Sequence, residues 1–146
     1  MEFEIDDDRD RVDRDALWGF LSTEAYWGRY RDRATIERQL AGAWRVVAAY
    51  RADGAMVGYA RAVSDGEALA YLADVFVLPR ARGHGVGKAL VHAMIEEGPG
   101  RSFRWMLHTL DAHSLYRSFG FAEPDATYME RPGPERGVRP PQGEGS

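Results

Sequence analysis

The stretch that decides the fold covers residues 68–90 and reads ALAYLADVFVLPRARGHGVGKAL. Its first eleven residues are almost continuously apolar and rich in aromatic and branched side chains, which is typical of a strand buried on both faces. Pro79 ends this run, three glycines follow at alternate positions, and apolar residues recur at helical spacing from Val86. The order of strand, glycine loop and helix therefore predicts a βα unit with the glycines at the helix start.

The upstream segments predict one strand, two helices and a hairpin. The strand covers residues 3–5, and two amphipathic helices lie within 15–43, because apolar residues recur there at helical spacing. Thr35 is the expected N-cap of the second helix. Residues 45–63 contain two runs with the residue pattern of strands, on either side of a turn at 52–54. This arrangement predicts an antiparallel hairpin.

The downstream segments complete an α/β domain. A strand at 103–108 follows the helix, and a crossover of this kind connects parallel strands, so it should pair with the buried strand. Asp111 is the expected N-cap of a short helix that Gly120 ends. A last strand within 121–131 is expected to complete a mixed sheet.

Length and composition indicate one folded domain with a tail. The chain has 146 residues, of which 45% are hydrophobic and 29% charged, close to the average of soluble globular proteins. We expect a single domain over 1–131 and a flexible tail over 132–146, where proline and glycine dominate. No apolar run reaches the roughly 18 residues of a membrane span and the N-terminus is acidic, so we expect no membrane partner and a cytoplasmic location. The 18 arginines against one lysine indicate a GC-rich bacterial source.

Charge and residue usage exclude several classes of function. A chain without cysteine cannot use disulfides, a thiolate nucleophile or cysteine-ligated zinc, and its four histidines lack ligand spacing, so no metal is expected. The formal net charge of -4 and the pI of about 5.6 argue against a nucleic-acid partner. Residues 80–104 nevertheless hold five cations against two acids, which suits a small polyanion.

Residues 82–88 form a candidate phosphate cradle. Glycines let the backbone approach a ligand closely, and a helix N-terminus adds about half a unit of positive charge. A P-loop would need glycine in place of Arg82 and serine or threonine in place of Ala89, and a dinucleotide fingerprint would need glycine in place of Lys88. Both are excluded, which leaves a different phosphate ligand or a turn without a ligand.

Two motifs carry a family resemblance. Arg82, Gly85 and Gly87 match the pattern Arg/Gln-x-x-Gly-x-Gly/Ala, and residues 115–121, LYRSFGF, are similar to the signature LYxxxGF. Together they resemble the GNAT superfamily of N-acetyltransferases over residues 44–121. The resemblance implies a GNAT-type mixed, mostly antiparallel sheet with a central parallel splayed pair, flanked by helices.

The resemblance also implies acetyl-CoA as the co-substrate and no metal. Backbone groups at the end of the buried strand would pair with the pantetheine arm, and the loop amides would bind the pyrophosphate. Thr109 stands where many relatives place an asparagine that contacts the cofactor. The cofactor-binding residues implied in this way are Val75, Phe76, Val77, Arg82, Gly83, His84, Gly85, Val86, Gly87, Lys88 and Thr109.

Two side chains are candidates for proton transfer. Tyr116 matches the general acid of the family, and a phenol with a reference pKa of about 10 can protonate a departing thiolate. The alternative for Tyr116 is packing against its helical neighbours. Asp74 is a carboxylate in an otherwise apolar strand, where burial would raise its pKa towards that of a useful base. The alternative for Asp74 is a structural acid that pairs with Arg61, Arg104 or a backbone amide.

The aromatic and basic stretch between the two predicted helices is the candidate acceptor site. Its arginines suit a substrate carboxylate or phosphate, and its rings can pack on an apolar or cationic group. The alternative is that these side chains cover the sheet edge. The candidate substrate-binding residues are Tyr26, Trp27, Arg29 and Tyr30, and Arg31 belongs to the same stretch.

These interpretations predict an N-acetyltransferase that moves an acetyl group from acetyl-CoA directly to a primary amine. A small-molecule acceptor is favoured over a protein, and a homodimer is left open because relatives are frequently dimeric. A different class of function is a catalytically silent acetyl-CoA-binding sensor. A third is an interaction protein that uses the basic stretch at 26–33 and binds its partner with or without CoA.

Overall fold

A five-stranded sheet organises the first of two compact units of the chain, Met1–Leu107 and His108–Ser146. The computed structural model describes residues 1–24 and 31–133. The strands within those residues are β1 (Phe3–Asp6), β2 (Arg45–Arg51), β3 (Met56–Ser64), β4 (Leu69–Val77) and β5 (Arg104–Met106). They follow the order β1-β2-β3-β4-β5, and all neighbours are antiparallel except the parallel pair β4 and β5. The mixed, mostly antiparallel sheet expected from the sequence is confirmed.

The parallel pair separates after three residues. β5 pairs with β4 only at Leu69, Ala70 and Tyr71, whereas β4 continues to Val77 beside β3. One backbone edge of residues 72–77 therefore lacks a strand partner within the described part of the chain, as the predicted splay requires. The pair lies at an edge of the sheet and not at its centre, because no described residue beyond β5 adds a strand.

Helices cover both faces of this sheet. The helices of the unit are α1 (Arg14–Thr23), α2 (Arg33–Gly42) and α3 (Val86–Ile95). On one face, Leu21 of α1 and Leu40 of α2 are completely buried, and Phe20 stacks on Phe76 of β4 with ring centroids 4.1 Å apart. α3 packs on the opposite face. No helix in the described ranges has the length and hydropathy needed to cross a bilayer.

The second helix begins earlier than predicted. Asp32 is the N-cap of α2, and its carboxylate accepts a hydrogen bond from the backbone N–H of Thr35 at 2.8 Å. The prediction of Thr35 as the N-cap is wrong, because an aspartate three residues earlier satisfies this N–H and extends the helix by nearly one turn.

A β-bulge at Asp74 changes which residues of β4 point to each face of the sheet. Tyr59 of β3 lies opposite Phe76. Two residues further along β3, Arg61 lies opposite Ala73, so β4 carries one extra residue between the two pairs. Asp74 has a φ of 53°, in the left-handed region where such an extra residue can sit. The prediction that β4 is buried on both faces is wrong. Buried residues alternate along β4 with residues that are half-buried or exposed to solvent.

Gly58 lets the start of α3 approach β3 closely. A Cβ atom on Gly58 would lie 2.9 Å from Leu90 Cδ1 and 3.1 Å from Val86 Cγ1, closer than ordinary packing allows. We expect Gly58→Ala to lower the free energy of unfolding by about 1 to 3 kcal/mol, as overpacking does, in urea denaturation. Gly19→Ala in α1 is the matched control, because nothing lies within 4 Å of a Cβ there, and it should keep or raise stability. Equal stability of the two variants would contradict the close approach.

The described residues of the second unit contain one short helix. α4 spans His113–Arg117, and its N-cap is Ala112, whose N–H donates to Thr109 Oγ1 at 3.0 Å. The prediction of Asp111 as the cap is wrong, because Asp111 lies one position too early and the Thr109 hydroxyl takes the N–H that needs a partner. Gly120, with a φ of 89°, ends the turn that follows the helix, as expected.

The last strand expected within 121–131 is absent. Pro124 has no N–H to donate to a sheet ladder. Immediately after it, Asp125 Oδ1 accepts a hydrogen bond from the N–H of Thr127 at 2.9 Å, and the N–H of Tyr128 donates to the Asp125 carbonyl at 3.3 Å. This local turn uses backbone groups that a strand would have presented to a neighbour.

Candidate functional site

The C-terminal end of β4 leads through a 3₁₀ turn at Pro79–Ala81 into the glycine loop, residues 82–88. Gly83 and Gly85 have φ angles of 82° and 80°, which side-chain-bearing residues rarely adopt, and Gly85 is the N-cap of α3. The first backbone bond of α3 runs from the N–H of Ala89 to the Gly85 carbonyl at 3.0 Å, so the three preceding N–H groups have no partner within the helix. Nothing lies within 4 Å of a Cβ placed on either glycine, so the loop is open to a ligand.

Arg82 connects the start of the glycine loop to the end of β4 through a hydrogen bond. Its Nε–H donates to the Val77 carbonyl at 3.1 Å, while the side chain stays exposed. Lys88, at the other end of the loop, and His84 within it are also exposed. The loop therefore combines free backbone donors with two cations, as the sequence predicts for a phosphate cradle.

The residues predicted to pair with a cofactor lie on the open edge of β4. Val75 and Val77 are half-buried, and Phe76 is buried in the core, where it stacks on Phe20 and on Tyr59. Their side chains therefore pack the protein. The N–H of Leu78 donates to the Val57 carbonyl of β3, and successive residues of a strand bond to opposite sides, so Phe76 faces β3 as well. The backbone groups on the unpaired edge are those of Val75 and Val77, and the Val77 carbonyl already accepts the Arg82 Nε–H.

Asp74 is held by two arginines. Arg31 donates from Nη1 to Oδ2 at 2.9 Å and from Nη2 to Oδ1 at 2.8 Å, and Arg61 donates from Nε to Oδ2 at 2.6 Å. Burial raises the pKa of Asp74, but the hydrogen bonds and charges of the two guanidinium groups outweigh it and lower the pKa below its ordinary value. The carboxylate is therefore ionised and paired. Of the structural partners considered from the sequence, Arg61 is present, whereas Arg104 is exposed on β5.

Gln39 of α2 completes what we term the Asp74 cluster: Arg31, Gln39, Arg61 and Asp74. Arg31 Nη1 donates to Gln39 Oε1 at 2.6 Å, and the Nε of Arg31 is buried without a hydrogen-bond partner. The side chains of Arg31, Arg61 and Asp74 are 16%, 12% and 6% exposed. Two cations and one anion are thus withdrawn from water together, and the cluster carries one net positive charge.

Tyr116 lies in α4 of the second unit and is buried. Burial is the main cause that raises the pKa of Tyr116 to about 12, and the negative charge of Asp111 adds to it. The phenol therefore keeps its proton over the physiological pH range. Its ring meets the edge of Phe121 at a centroid distance of 5.7 Å. In the same unit, the Thr109 hydroxyl is engaged as the acceptor for the Ala112 N–H at 3.0 Å.

The four predicted substrate-binding residues, Tyr26, Trp27, Arg29 and Tyr30, lie outside the described residues. Within 1–24 and 31–133, no three His, Asp or Glu side chains lie close enough to hold a metal ion. Sequence reasoning missed two residues that shape the site. Gln39 belongs to the Asp74 cluster, and Gly58 sets the close packing of α3 on β3. Gly58 had a visible signal, because a glycine inside a strand of branched and aromatic residues often marks a close approach.

The fold and the glycine loop define an α/β domain of the acetyltransferase class. The profile of the Acetyltransferase (GNAT) family matches residues 9–121, and the chain belongs to this family. A provisionally named acetyltransferase from Gibberella zeae is 32% identical over 104 residues, which make up 70% of this chain and 57% of that protein. The chain thus spans little more than half the length of this relative.

Solved structures show the same fold. A provisionally assigned GNAT-family acetyltransferase from Xanthomonas campestris pv. campestris is 33% identical, with a TM-score of 0.84 over 92% of this chain and 95% of that chain. A provisionally assigned acetyltransferase from Deinococcus radiodurans R1 is 25% identical, with a TM-score of 0.70 over 88% of each chain. Glucosamine-6-phosphate N-acetyltransferase from Arabidopsis thaliana is only 12% identical, and its TM-score of 0.63 over 90% of this chain and 99% of that chain shows the fold alone.

Proposed function

We propose that this domain transfers the acetyl group of acetyl-CoA to a primary amine of a small molecule. The observation that carries the proposal is the open backbone edge of residues 72–77, which leads directly into the glycine loop at the start of α3. An unpaired strand edge suits the amide groups of an extended arm, and a helix N-terminus suits a phosphate. Acetyl-CoA, the donor that the GNAT family generally uses, contains both.

The residues present fit this donor. The backbone of residues 75–77 would bind the pantetheine arm, and the N–H groups of the glycine loop would bind the pyrophosphate. Arg82 and Lys88 are exposed cations that would offset its charge. When bound, acetyl-CoA supplies the acetyl group as an activated thioester.

Tyr116 is the proposed proton donor. In the transfer, a C–N bond forms and a C–S bond breaks, so the amine gives up one proton and the thiolate takes up one. A phenol whose pKa is raised to about 12 keeps a proton on Oη, ready for such a thiolate.

Asp74 is proposed to position the two arginines and not to act as the base. Both of its oxygens accept hydrogen bonds from guanidinium groups, and its pKa is lowered. A carboxylate in that state is a weak proton acceptor, since its ionised form is already stabilised. This differs from the base role predicted from the sequence, and the two roles predict different effects of Asp74→Asn on stability and on kcat.

Calorimetric titration with acetyl-CoA tests the glycine loop. We expect Gly85→Glu to weaken binding of acetyl-CoA about 100-fold or more. The substitution places a side chain and a negative charge in the open space in front of the free N–H groups. Loss of charged hydrogen bonds that contribute about 3 kcal/mol corresponds to a roughly 100-fold weaker affinity. Gly54→Glu, in the β2–β3 turn, is the matched control. Gly54 has a φ of 90° and nothing within 4 Å of a Cβ, so it imposes the same backbone strain at a distance from the loop.

Amine-dependent release of free thiol then tests turnover. Loss of acetyl-CoA binding in both glutamate variants, or in neither, would contradict the proposed cradle. Binding without thiol release on any amine would instead support the sensor class of function.

A further inference from the structure

The Asp74 cluster carries more positive charge than its own carboxylate can balance. Arg31 and Arg61 both pair with Asp74, and neither forms an ion pair with another acid of the described residues. Gln39, the remaining member, is neutral. A buried cation is normally paired, because desolvation of a lone charge is costly. The cluster therefore leaves room for one further negative charge.

Hydrogen-bond donors in the cluster are also unused. Arg61 donates to the cluster only through Nε, and its two terminal nitrogens donate to no described residue. The Nε of Arg31 is buried without a partner. A guanidinium fork with free N–H groups matches the planar geometry of a carboxylate.

The surface next to the cluster contains apolar side chains that are exposed to solvent. Arg61 and Val63 point to the α1–α2 face of β3, because side chains two residues apart share a face, and Val63 is 51% exposed. Tyr71 lies opposite Val63 on β4, and Leu69, two residues before it on the same face, is 45% exposed. Arg61 and Val63 are separated by about 7 Å along the strand, so one small molecule can place an anionic group at Arg61 and an apolar group beside Val63.

The cluster adjoins the proposed site of transfer. Asp74 directly precedes residues 75–77, whose backbone is the proposed binding edge for the donor. An anionic group held by Arg61 would therefore place an amine on the same molecule near this edge. A monoanionic carboxylate balances the single surplus charge, whereas a phosphate dianion would exceed it.

We infer that the acceptor is an amino acid with an apolar side chain, and that Arg61 is the specificity-determining residue that binds its α-carboxylate. The inference rests on the proposed function, but its first test does not need turnover. Leucine should raise the midpoint of thermal unfolding, whereas leucine methyl ester and isopentylamine, which lack the carboxylate, should not. Arg61→Gln should abolish the shift, and Arg61→Lys, which keeps the charge without the fork, should retain part of it.

The matched control is Arg38→Gln. Arg38 is an exposed arginine of α2 whose Nη2 donates to Thr35 Oγ1 at 3.1 Å, and its removal should leave the leucine shift unchanged. Circular dichroism and acetyl-CoA titration of each variant separate loss of the acceptor site from loss of folding. In turnover, Arg61→Gln should raise KM for leucine about 10- to 100-fold, the loss expected for a charged hydrogen bond, and should raise KM for isopentylamine much less.

The possible failures are distinguishable. Equal stabilisation by leucine and isopentylamine, or an unchanged leucine shift in Arg61→Gln and Arg61→Lys, would overturn the inference even if amines are acetylated. A leucine shift that depends on Arg61 would support the acceptor site even if acetyl-CoA binding, and with it the proposed function, failed.

Discussion

Replacing Asp74 with asparagine should lower the free energy of unfolding by about 3 to 5 kcal/mol, because breaking a buried ion pair from one side leaves the partner charge uncompensated. In this protein two partners are left, since Arg31 and Arg61 both donate to the carboxylate and both are mostly buried. Urea denaturation followed by far-ultraviolet circular dichroism measures the loss, and the m-value shows whether the transition remains two-state.

The same carboxylate should make stability depend on pH. The pKa of Asp74 is lower in the folded protein than in the unfolded chain, where the pKa of an aspartate is about 3.9. The folded state therefore binds fewer protons, so the stabilisation is complete above the unfolded pKa and is lost as the pH falls through the folded one. The difference in Tm between wild type and Asp74→Asn should shrink as the pH is lowered from about 6 to about 2.

Asp53→Asn is the matched control for this substitution. Asp53 also pairs with an arginine, Arg51, at 2.8 Å, but it is exposed, so its replacement should leave stability nearly unchanged. A stable Asp74→Asn protein with greatly reduced kcat would contradict the positioning role and restore the role of Asp74 as a base.

Replacing Tyr116 with phenylalanine should reduce kcat by about 10² to 10⁴, the contribution of a well-placed general acid. The ring remains to pack against Phe121, so folding and acetyl-CoA binding should be preserved. Because the phenol has a pKa raised to about 12, the wild-type donor is protonated at neutral pH, and its own titration should not limit the rate there. Thiol release under saturating amine and acetyl-CoA measures the effect.

Tyr128→Phe serves as the control for loss of a phenol. Tyr128 belongs to the same unit, is 42% exposed, and donates from its hydroxyl to Glu130 at 3.2 Å. It should retain wild-type kcat. Full activity in Tyr116→Phe as well would reduce Tyr116 to a packing residue and remove it from the mechanism.

The parts of the fold that sequence reasoning predicted correctly are those with strong local periodicity. The β2–β3 hairpin, the run of β4 and the helix after the glycine loop all follow from the spacing of apolar residues and from turn residues. The errors fall at ends and irregular points: Thr35 was the wrong cap, and the strand expected within 121–131 is a turn around Asp125. Caps depend on a single hydrogen bond, and a strand needs a partner, neither of which periodicity reports.

The glycine loop was predictable for the same reason. A strand, alternate glycines and a helix start are contiguous in the chain, and the φ angles of Gly83 and Gly85 are of the kind that glycine permits. The environment of Asp74 was not predictable in this way. Its bonds come from Arg31, 43 residues earlier, and from Arg61, 13 residues earlier, and only the folded sheet brings them to the bulge.

The sequence by itself determined the family, the order of the elements and the place of the phosphate cradle, because each rests on residues that act within one stretch of chain. Tertiary structure alone decided the charge of the Asp74 carboxylate. Burial would have raised its pKa, and two guanidinium groups from distant segments reverse that effect. The sign of a pKa shift depends on which charges are close in space, and contacts across the sheet and the helix layer set those distances.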